Sequence, residues 1–325
     1  MIPGEWFALA GTRISPHVVR TPLTYDAPRD LFLKWENRQV TGSFKARGAL
    51  NKVLALEEWE RAAGLVAASA GNHGQGVALA GRLTGAKVEV FVPVGAVPEK
   101  VEAIRRLGGE VRCVDGGYGQ AEAAAKESAQ RTRRTFISPY NDGQVIAGQG
   151  TLALETLEQL RKEFGISPAE ISAWIFPTGG GGLISGCGAA LASMGLTAVL
   201  YGVQPSASAF AHSLFHRHTQ LGVTDGQTLA DGLSGSIDED SITIPMMREF
   251  ASDIVTVSEV MIERAIADAW WSYGQRIEGS AAVALASALD GVVKARHSVV
   301  VVTGGNIQDH VFEGIIARHG IRAEP

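Results

Sequence analysis

The hydrophobic residues of the chain form short continuous runs, and longer segments with apolar residues at helical spacing separate these runs. The runs have the length of strands and are bounded by glycine, proline or polar residues. They predict strands at 31–35, 65–68, 86–92, 110–114, 134–138, 173–176, 198–203, 254–257 and 298–303. The segments between them predict helices at 73–83, 98–107, 120–131, 145–164, 183–194, 258–273 and 278–288.

Continuous apolar strands that alternate with helices are typical of a parallel sheet covered by helices on both faces. We therefore expect an α/β protein with two open, mostly parallel, twisted sheets. The 325 residues exceed the length at which one hydrophobic core usually divides, and no tandem repeat or polar linker interrupts them. We expect residues 60–142 to form a small mobile domain, inserted in a larger domain of residues 1–59 and 143–325.

Composition and charge narrow the class of protein. Hydrophobic residues make up 46% of the chain and charged residues 19%, as in an ordinary globular enzyme. The net charge is -5 and the basic residues are scattered, which argues against nucleic acid and membrane partners. No apolar stretch has the length of a membrane span, and the N-terminus lacks a signal-peptide pattern. Two cysteines, Cys113 and Cys187, are too few for a disulfide framework, so a cytoplasmic location is expected.

A lysine stands at the predicted start of the helix that follows the first long strand. It is Lys45, within the sequence TGSFKARGA at 41–49. Thr41 and Ser43 are candidates for the N-cap, and the helix is expected to continue to Trp59 and to end at 62–64. A cation in the first turn is disfavoured by the helix dipole by roughly 0.3–1 kcal/mol. Lys45 is therefore either a lysine that extends to solvent or an amine kept neutral or covalently bound.

The sequence SAGNHGQG at 69–76 joins a predicted strand to a predicted helix. Backbone amides, a hydroxyl, an amide side chain and a helix N-terminus together suit a carboxylate ligand. The alternative is an ordinary turn in which the histidine only packs. The candidate substrate-binding residues of this loop are Ser69, Ala70, Gly71, Asn72 and His73.

Four glycines, Gly179, Gly180, Gly181 and Gly182, follow another predicted strand and precede a helix. Consecutive amides without side chains can close around a phosphate, and the helix N-terminus adds positive potential. A dinucleotide site would require an acidic residue about 20 residues onward. The next strand ends in Gly202-Val203-Gln204 and offers no acid, and no Gly-Lys-Ser or Gly-Lys-Thr of a Walker loop follows. The loop therefore predicts a phosphate site without nucleotide features.

An imine-forming lysine, a phosphate loop and a carboxylate loop together indicate pyridoxal phosphate and an amino-acid substrate. The chain resembles the fold type II pyridoxal-phosphate enzymes (tryptophan synthase beta-like), in particular the threonine/serine dehydratase and serine racemase group. The resemblance extends over nearly the whole chain. Its motifs occur in matching order: TGSFKARGA, SAGNHGQG, TGGGGL, TLADGL, IEGSAA and VVVVTGGN.

This resemblance implies roles for single residues. Lys45 is similar to the lysine that bonds to the cofactor, Phe44 packs beside the ring, and Asn72 is similar to the residue that hydrogen-bonds the 3-hydroxyl. Thr303 resembles the hydroxyl partner of the pyridine nitrogen, and Glu278 resembles an acid kept near the cofactor. The four glycines at 179–182 are similar to the phosphate cradle. The family also implies a homodimer.

Thr303 bears on the reaction, because a neutral hydroxyl does not hold the pyridine nitrogen protonated as an aspartate would. A carbanion at Cα is then expected to expel a β-substituent. We expect a dehydratase that converts L-threonine and/or L-serine to 2-oxo acid and ammonia. Serine racemase and 3-hydroxyaspartate dehydratase are alternatives, and a β-replacement synthase or a catalytically idle amino-acid sensor is a more distant one.

Two departures from the racemase pattern favour elimination. The racemases place a second hydroxyl directly before Gly-Asn-His, where this chain has Ala70. Their divalent-metal site is also altered, because its glutamate corresponds to Gln204 and its aspartate to Phe210. An amide and an aromatic ring are poor ligands for a hard cation, so no metal is expected there. His212 and His216 are spaced like a metal pair but have no nearby acid in the sequence, so a packed helix is the favoured interpretation.

Overall fold

Two separate sheets organise the protein in a computed structural model that describes residues 2–294 and 296–320. The six strands of the larger sheet are β1 (Leu23–Asp26), β2 (Leu31–Trp35), β7 (Trp174–Pro177), β8 (Leu200–Pro205), β9 (Asp253–Val257) and β10 (Ser298–Val302). Their order is β1-β2-β10-β7-β8-β9. β1 pairs antiparallel with β2, and every other pair in this sheet is parallel.

The smaller sheet contains β3 (Leu65–Ala68), β4 (Val88–Pro93), β5 (Glu110–Val114) and β6 (Thr135–Phe136). Its order is β5-β4-β3-β6 and all of its pairs are parallel. All residues of β3, β2 and β10 are buried. Strands covered on both faces carry no polar alternation, which is why they show as continuous apolar runs in the sequence. The prediction of two mostly parallel sheets is confirmed.

Helices cover both sheets. They are α1 (Gly4–Ile14), α2 (Lys45–Ala55), α3 (Glu58–Ala63), α4 (Asn72–Thr84), α5 (Pro98–Arg106), α6 (Tyr118–Thr132), α7 (Gly143–Glu163), α8 (Gly182–Ser193), α9 (Phe210–Arg217), α10 (Thr243–Phe250), α11 (Glu259–Tyr273), α12 (Gly279–Leu289) and α13 (Asp309–His319). Within 2–294 and 296–320, none of these helices is both long and apolar enough to cross a membrane.

Helix α2 packs against α4 on one side and α7 on the other. Its approach to α7 is close, because a β-carbon added to Gly148 would lie 2.6 Å from the carbonyl oxygen of Arg47 and 2.7 Å from Cα of Gly48. Glycine is required there because no other side chain fits between the two backbones. This close contact fixes the position of α2 against α7.

The prediction of one continuous helix from Lys45 to Trp59 is wrong at its C-terminal end. α2 ends at Ala55, and Leu56 has an extended conformation with ψ 149°. Glu57 then starts α3 through a reciprocal capping box with Glu60. Such a box satisfies two free helix-start donors, and it favours a new helix over continuation of the old one. The first helix therefore ends, and the second begins, at a point that the spacing of apolar residues does not predict.

Candidate active site

A cavity of about 390 Å³ lies between the two sheets. Several of its lining residues directly follow or end a strand: Ser69 after β3, Pro93 in β4, Pro177 in β7 and Thr303 after β10. Ligands in open parallel sheets bind outside the carboxyl ends of the strands. The other candidate residues that line the cavity are Phe44, Lys45, Ala70, Gly71, Asn72, His73, Gly179, Gly180, Gly181, Gly182 and Glu278. The structure thus brings together all the predicted site residues.

Lys45 is the first residue of α2, and its amine faces the cavity. Its Nζ donates a hydrogen bond to the carbonyl oxygen of Pro139 at 3.1 Å and lies 5.3 Å from the ring centre of Phe44. Burial lowers the pKa of the Lys45 amine to about 8, and the carboxyl of Glu278 raises it in part. About a tenth of the amine is therefore neutral at pH 7, far more than for a lysine with the usual pKa, and the neutral form is the one that acts as a nucleophile or proton acceptor.

The residues before Lys45 do not form the N-cap that the sequence suggests. Phe44 precedes the helix, and the backbone N–H of Phe44 donates to the carbonyl oxygen of Thr303 at 3.0 Å. Thr41, one of the predicted caps, has a left-handed backbone with φ 63° and lies outside the helix. Ser43 Oγ accepts only a long bond of 3.4 Å from the N–H of Lys45. The backbone hydrogen bond from Phe44 to Thr303, the residue after β10, replaces a conventional cap.

The glycine loop connects β7 to the start of α8 and is tightly packed from behind. A β-carbon on Gly180 would lie 2.3 Å from the ring of Tyr140, and one on Gly181 would lie 2.5 Å from the sulfur of Met247. Gly181 also has φ 80°, where other residues are strained. With no side chains in the way, the amides of this loop and the N-terminus of α8 can face a phosphate in the cavity. These residues fit the phosphate of the predicted cofactor.

The loop at 69–73 leads from β3 into α4. Ser69 Oγ accepts the backbone N–H of Gly71 at 3.2 Å, which turns the chain toward the helix. His73 Nε2 lies 2.8 Å from the carbonyl oxygen of Ile137 and therefore carries the proton. Burial and, to a smaller extent, Lys45 lower the pKa of His73 to about 3. The imidazole is thus neutral and bonded through Nε2 to the Ile137 carbonyl, and the loop offers backbone amides and the Asn72 side chain to a ligand.

Asn72, Glu278 and Asn306 form a hydrogen-bonded chain at one wall of the cavity. Asn72 Nδ2 donates to Glu278 Oε1 at 2.6 Å, and Asn306 Nδ2 donates to Asn72 Oδ1 at 2.6 Å. Burial raises the pKa of Glu278 to about 7, with a further contribution from Asp231. The acid is therefore partly protonated at neutral pH.

Three residues of the cavity, Tyr140, Lys100 and Asp231, were not predicted as site residues, and Asn306 entered only as the last residue of the motif VVVVTGGN. The ion-paired side chains of Lys100 and Asp231 line the cavity and lie 2.5 Å apart, across the gap between α5 and the loop after Ala230. The motif TLADGL pointed to that loop, but the pairing with a lysine 131 residues away depends on the tertiary fold.

The side chains of Gln204 and Phe210 are held by contacts within the protein. Gln204 Oε1 accepts the backbone N–H of His212 at 2.8 Å, and Phe210 is buried at the start of α9. The rings of His212 and His216 are 4.5 Å apart, and His216 Nε2 lies 3.0 Å from Asp253 Oδ1. In the described part of the chain, no group of three or more His, Cys, Asp or Glu residues is arranged to hold a metal ion.

A lysine amine with a lowered pKa, a glycine loop at a helix start and an amide-lined turn meet in one cleft between two mostly parallel sheets. This combination defines enzymes that bind a phosphorylated carbonyl cofactor through a lysine. Residues 14–304 match the family described as pyridoxal-phosphate dependent enzyme.

Individual proteins agree with this assignment. The chain is 36% identical to an L-threonine ammonia-lyase of Thermotoga maritima, over 92% of this chain and 74% of the relative. It is 35% identical to a serine racemase of Arabidopsis thaliana, over 92% of this chain and 91% of the relative. The solved structure of maize serine racemase is similar with a TM-score of 0.87 at 29% identity, covering 97% of both chains. The chain belongs to the pyridoxal-phosphate dependent enzymes, and its cofactor is pyridoxal 5'-phosphate.

Proposed function

We propose that the protein is an ammonia-lyase that converts L-threonine and/or L-serine to a 2-oxo acid and ammonia by α,β-elimination. The observation that carries this proposal is the position of Lys45, whose amine has a pKa lowered to about 8 and faces the cavity between the glycine loop and Asn72. Relatives named L-threonine ammonia-lyase support the substrate class.

The chain supplies binding and proton transfer around the cofactor. The amides of 179–182 would hold its phosphate, the Asn72 side chain its 3-hydroxyl, and Thr303 its ring nitrogen. When bound, pyridoxal phosphate supplies a carbonyl carbon that condenses with amines and a ring that delocalises an electron pair from Cα. The loop at 69–73 would orient the substrate carboxylate through backbone amides at the N-terminus of α4.

Lys45 would then remove the proton from Cα of the substrate, since its amine lines the cavity and its lowered pKa leaves part of it neutral. The same amine can return that proton as the β-hydroxyl leaves. Thr303 offers the ring a neutral partner, which limits the lifetime of the charge at Cα and favours loss of the β-substituent.

Serine racemisation is the second candidate, because one relative carries that name. A racemase needs a second acid or base on the opposite face of the substrate plane. Ala70, which corresponds to that group in the racemase sequence pattern, lines the cavity. A methyl group transfers no proton. This difference supports elimination over racemisation.

The experiment is a substrate panel with the cofactor-loaded protein. L-threonine, L-serine, D-serine and 3-hydroxyaspartate are incubated separately, and both 2-oxo acid and ammonia are measured, with chiral chromatography of the remaining serine. We expect equal amounts of 2-oxo acid and ammonia from L-threonine or L-serine, and little D-serine. Absence of both products from these two substrates would refute the proposal. An activated serine with sulfide, added in parallel, identifies a β-replacement enzyme.

Further expectations accompany this function. We infer a cytoplasmic enzyme, which is supported by the free thiols of Cys113 and Cys187, and a homodimer, which is supported by the family resemblance alone. We also propose that residues 60–142 move as a unit against the rest. The separate four-stranded sheet, with strands between Leu65 and Phe136, supports this division. Sedimentation tests the dimer, small-angle scattering with and without substrate tests the movement, and cell fractionation tests the location.

A further inference from the structure

Asn306 uses one side-chain amide to contact two parts of the cofactor site. Its Nδ2 donates to the carbonyl oxygen of Thr41 at 2.8 Å and to Asn72 Oδ1 at 2.6 Å. Thr41 precedes the lysine-bearing helix α2, and Asn72 begins helix α4 beside the smaller sheet. Asn306 itself follows β10 of the larger sheet. A single amide therefore joins three segments that are distant in sequence.

The turn that Asn306 holds before Lys45 is strained. Thr41 has φ 63°, a conformation that is unfavourable for a β-branched residue, and Gly42 has φ 71°. The backbone N–H of Gly305 donates to the carbonyl oxygen of Gly42 at 3.0 Å. A β-carbon on Gly42 would lie 2.6 Å from Asn306 Oδ1, so the side chain packs directly on the turn. Such a conformation persists only where the surroundings enforce it.

The same amide fixes which way the side chain of Asn72 points. The carbonyl oxygen of Thr41 can only accept, so the nitrogen of Asn306 must face it, and this nitrogen also reaches Asn72. Asn72 therefore turns its oxygen toward Asn306 and its nitrogen toward Glu278, whose Oε1 accepts at 2.6 Å. One N–H of Asn72 remains for a ligand in the cavity.

We propose that Asn306 is a positioning residue that sets the geometry of both Lys45 and Asn72 toward the cofactor. It acts by holding the left-handed turn at Thr41 and by orienting the amide of Asn72 as a donor. The inference rests on cofactor binding and is independent of which amino acid is the substrate. A failure of the proposed elimination reaction therefore leaves it testable.

The test is Asn306→Asp, which keeps the shape of the side chain and removes both N–H donors. We expect the Kd for pyridoxal phosphate to rise about tenfold or more, since two hydrogen bonds in the site are lost. The pH at which the visible absorbance of the lysine-bound cofactor changes should shift. In the protein without cofactor, amide hydrogen exchange should accelerate at residues 42–46 and 72–74. Asn306→Ala removes the same donors without adding a charge. The same three measurements are made on this variant, and it replaces the aspartate variant if that one fails to fold.

Asn37→Asp is the matched control. Asn37 Nδ2 donates to Gln275 Oε1 at 3.0 Å and to the carbonyl oxygen of Arg276 at 3.2 Å, close to Gly305. This variant loses two amide donations beside the same segment without touching Thr41 or Asn72. Its cofactor affinity should stay within about twofold of the wild type. Equal effects of the Asn37 and Asn306 variants, or no change in any readout for Asn306→Ala, would overturn the proposal.

Discussion

Lys45 Nζ donates its hydrogen bond to the carbonyl oxygen of Pro139, 94 residues away and 3.1 Å distant. The partner is neutral, so it orients the amine without stabilising its charged form as a carboxylate would. Desolvation thus dominates the pKa of the amine, and the carboxyl of Glu278 opposes it in part. This relationship gives Lys45 both a defined direction and a lowered pKa.

Replacement of this amine should abolish function. For Lys45→Ala we expect no visible absorbance from covalently bound cofactor and no release of ammonia from L-threonine or L-serine. Absorbance spectroscopy after removal of free cofactor and an ammonia assay measure the two effects. Lys52→Ala, at the other end of the same helix, is the control and should retain both properties. Covalent cofactor or turnover in the Lys45 variant would contradict the assignment.

The lowered pKa of Lys45 predicts how fast the cofactor attaches at different pH values. The neutral amine is the nucleophile, and with a pKa of about 8 its fraction grows as the pH rises through that value. The rate of attachment should increase roughly tenfold between about pH 7 and about pH 9, and then level off. Stopped-flow absorbance of the protein without cofactor checks this. A rate that still rises steeply above pH 10 would indicate an ordinary lysine.

The packing behind the glycine loop predicts a cost for any side chain at Gly180. Its β-carbon would overlap the ring of Tyr140, so Gly180→Ala should destabilise the protein by about 1–3 kcal/mol and weaken cofactor binding. Urea unfolding and cofactor titration measure the two effects. Gly95→Ala is the control, because Gly95 lines the same cavity and its β-carbon would meet no atom of the described chain within 4 Å. Equal behaviour of the two variants would disprove the role of the close contact.

A hydroxyl at the position of Ala70 should change how much D-serine the enzyme forms from L-serine. Ala70→Ser restores the hydroxyl of the racemase pattern to a residue that lines the cavity, so D-serine should become detectable from L-serine. Chiral chromatography at equal conversion compares the variant with the wild type. Ala96→Ser adds a hydroxyl elsewhere in the cavity lining and should leave the enantiomer ratio unchanged. Abundant D-serine from the wild type would remove the basis for preferring elimination.

The raised pKa of Glu278 predicts a dependence of stability on pH. The folded protein binds this proton more tightly than the unfolded chain, because the pKa rises from 4.5 to about 7. The stabilising contribution is therefore complete below pH 4.5 and is lost as the pH rises to about 7. Relative to Glu278→Gln, the wild type without cofactor should lose on the order of 3 kcal/mol over this interval. Urea unfolding at several pH values tests this, and parallel stability curves for the two proteins would contradict it.

The sequence predicted many strands of this fold closely, among them β3 and β10, whose residues are all buried. β3 and β5 have the predicted bounds, and β10 and α8 differ from the predictions by a residue or so. The antiparallel strand β1 and the break after Ala55 were not predicted. β1 lies at the edge of the sheet with only Leu23 buried, so it carries no continuous apolar run. The break depends on a capping box between two glutamates, which competes with helical spacing that continues through it.

The sequence by itself determined which chemical groups the site contains. Lys45, the four glycines and the SAGNHGQG loop each follow a predicted strand, and strand ends of parallel sheets meet at one edge. Only the tertiary structure decided what those groups can do. The burial that lowers the pKa of Lys45 and the bonds from Asn306 to Thr41 and Asn72 join segments far apart in the chain. Desolvation and hydrogen-bond geometry depend on neighbours in space, and local sequence patterns do not specify them.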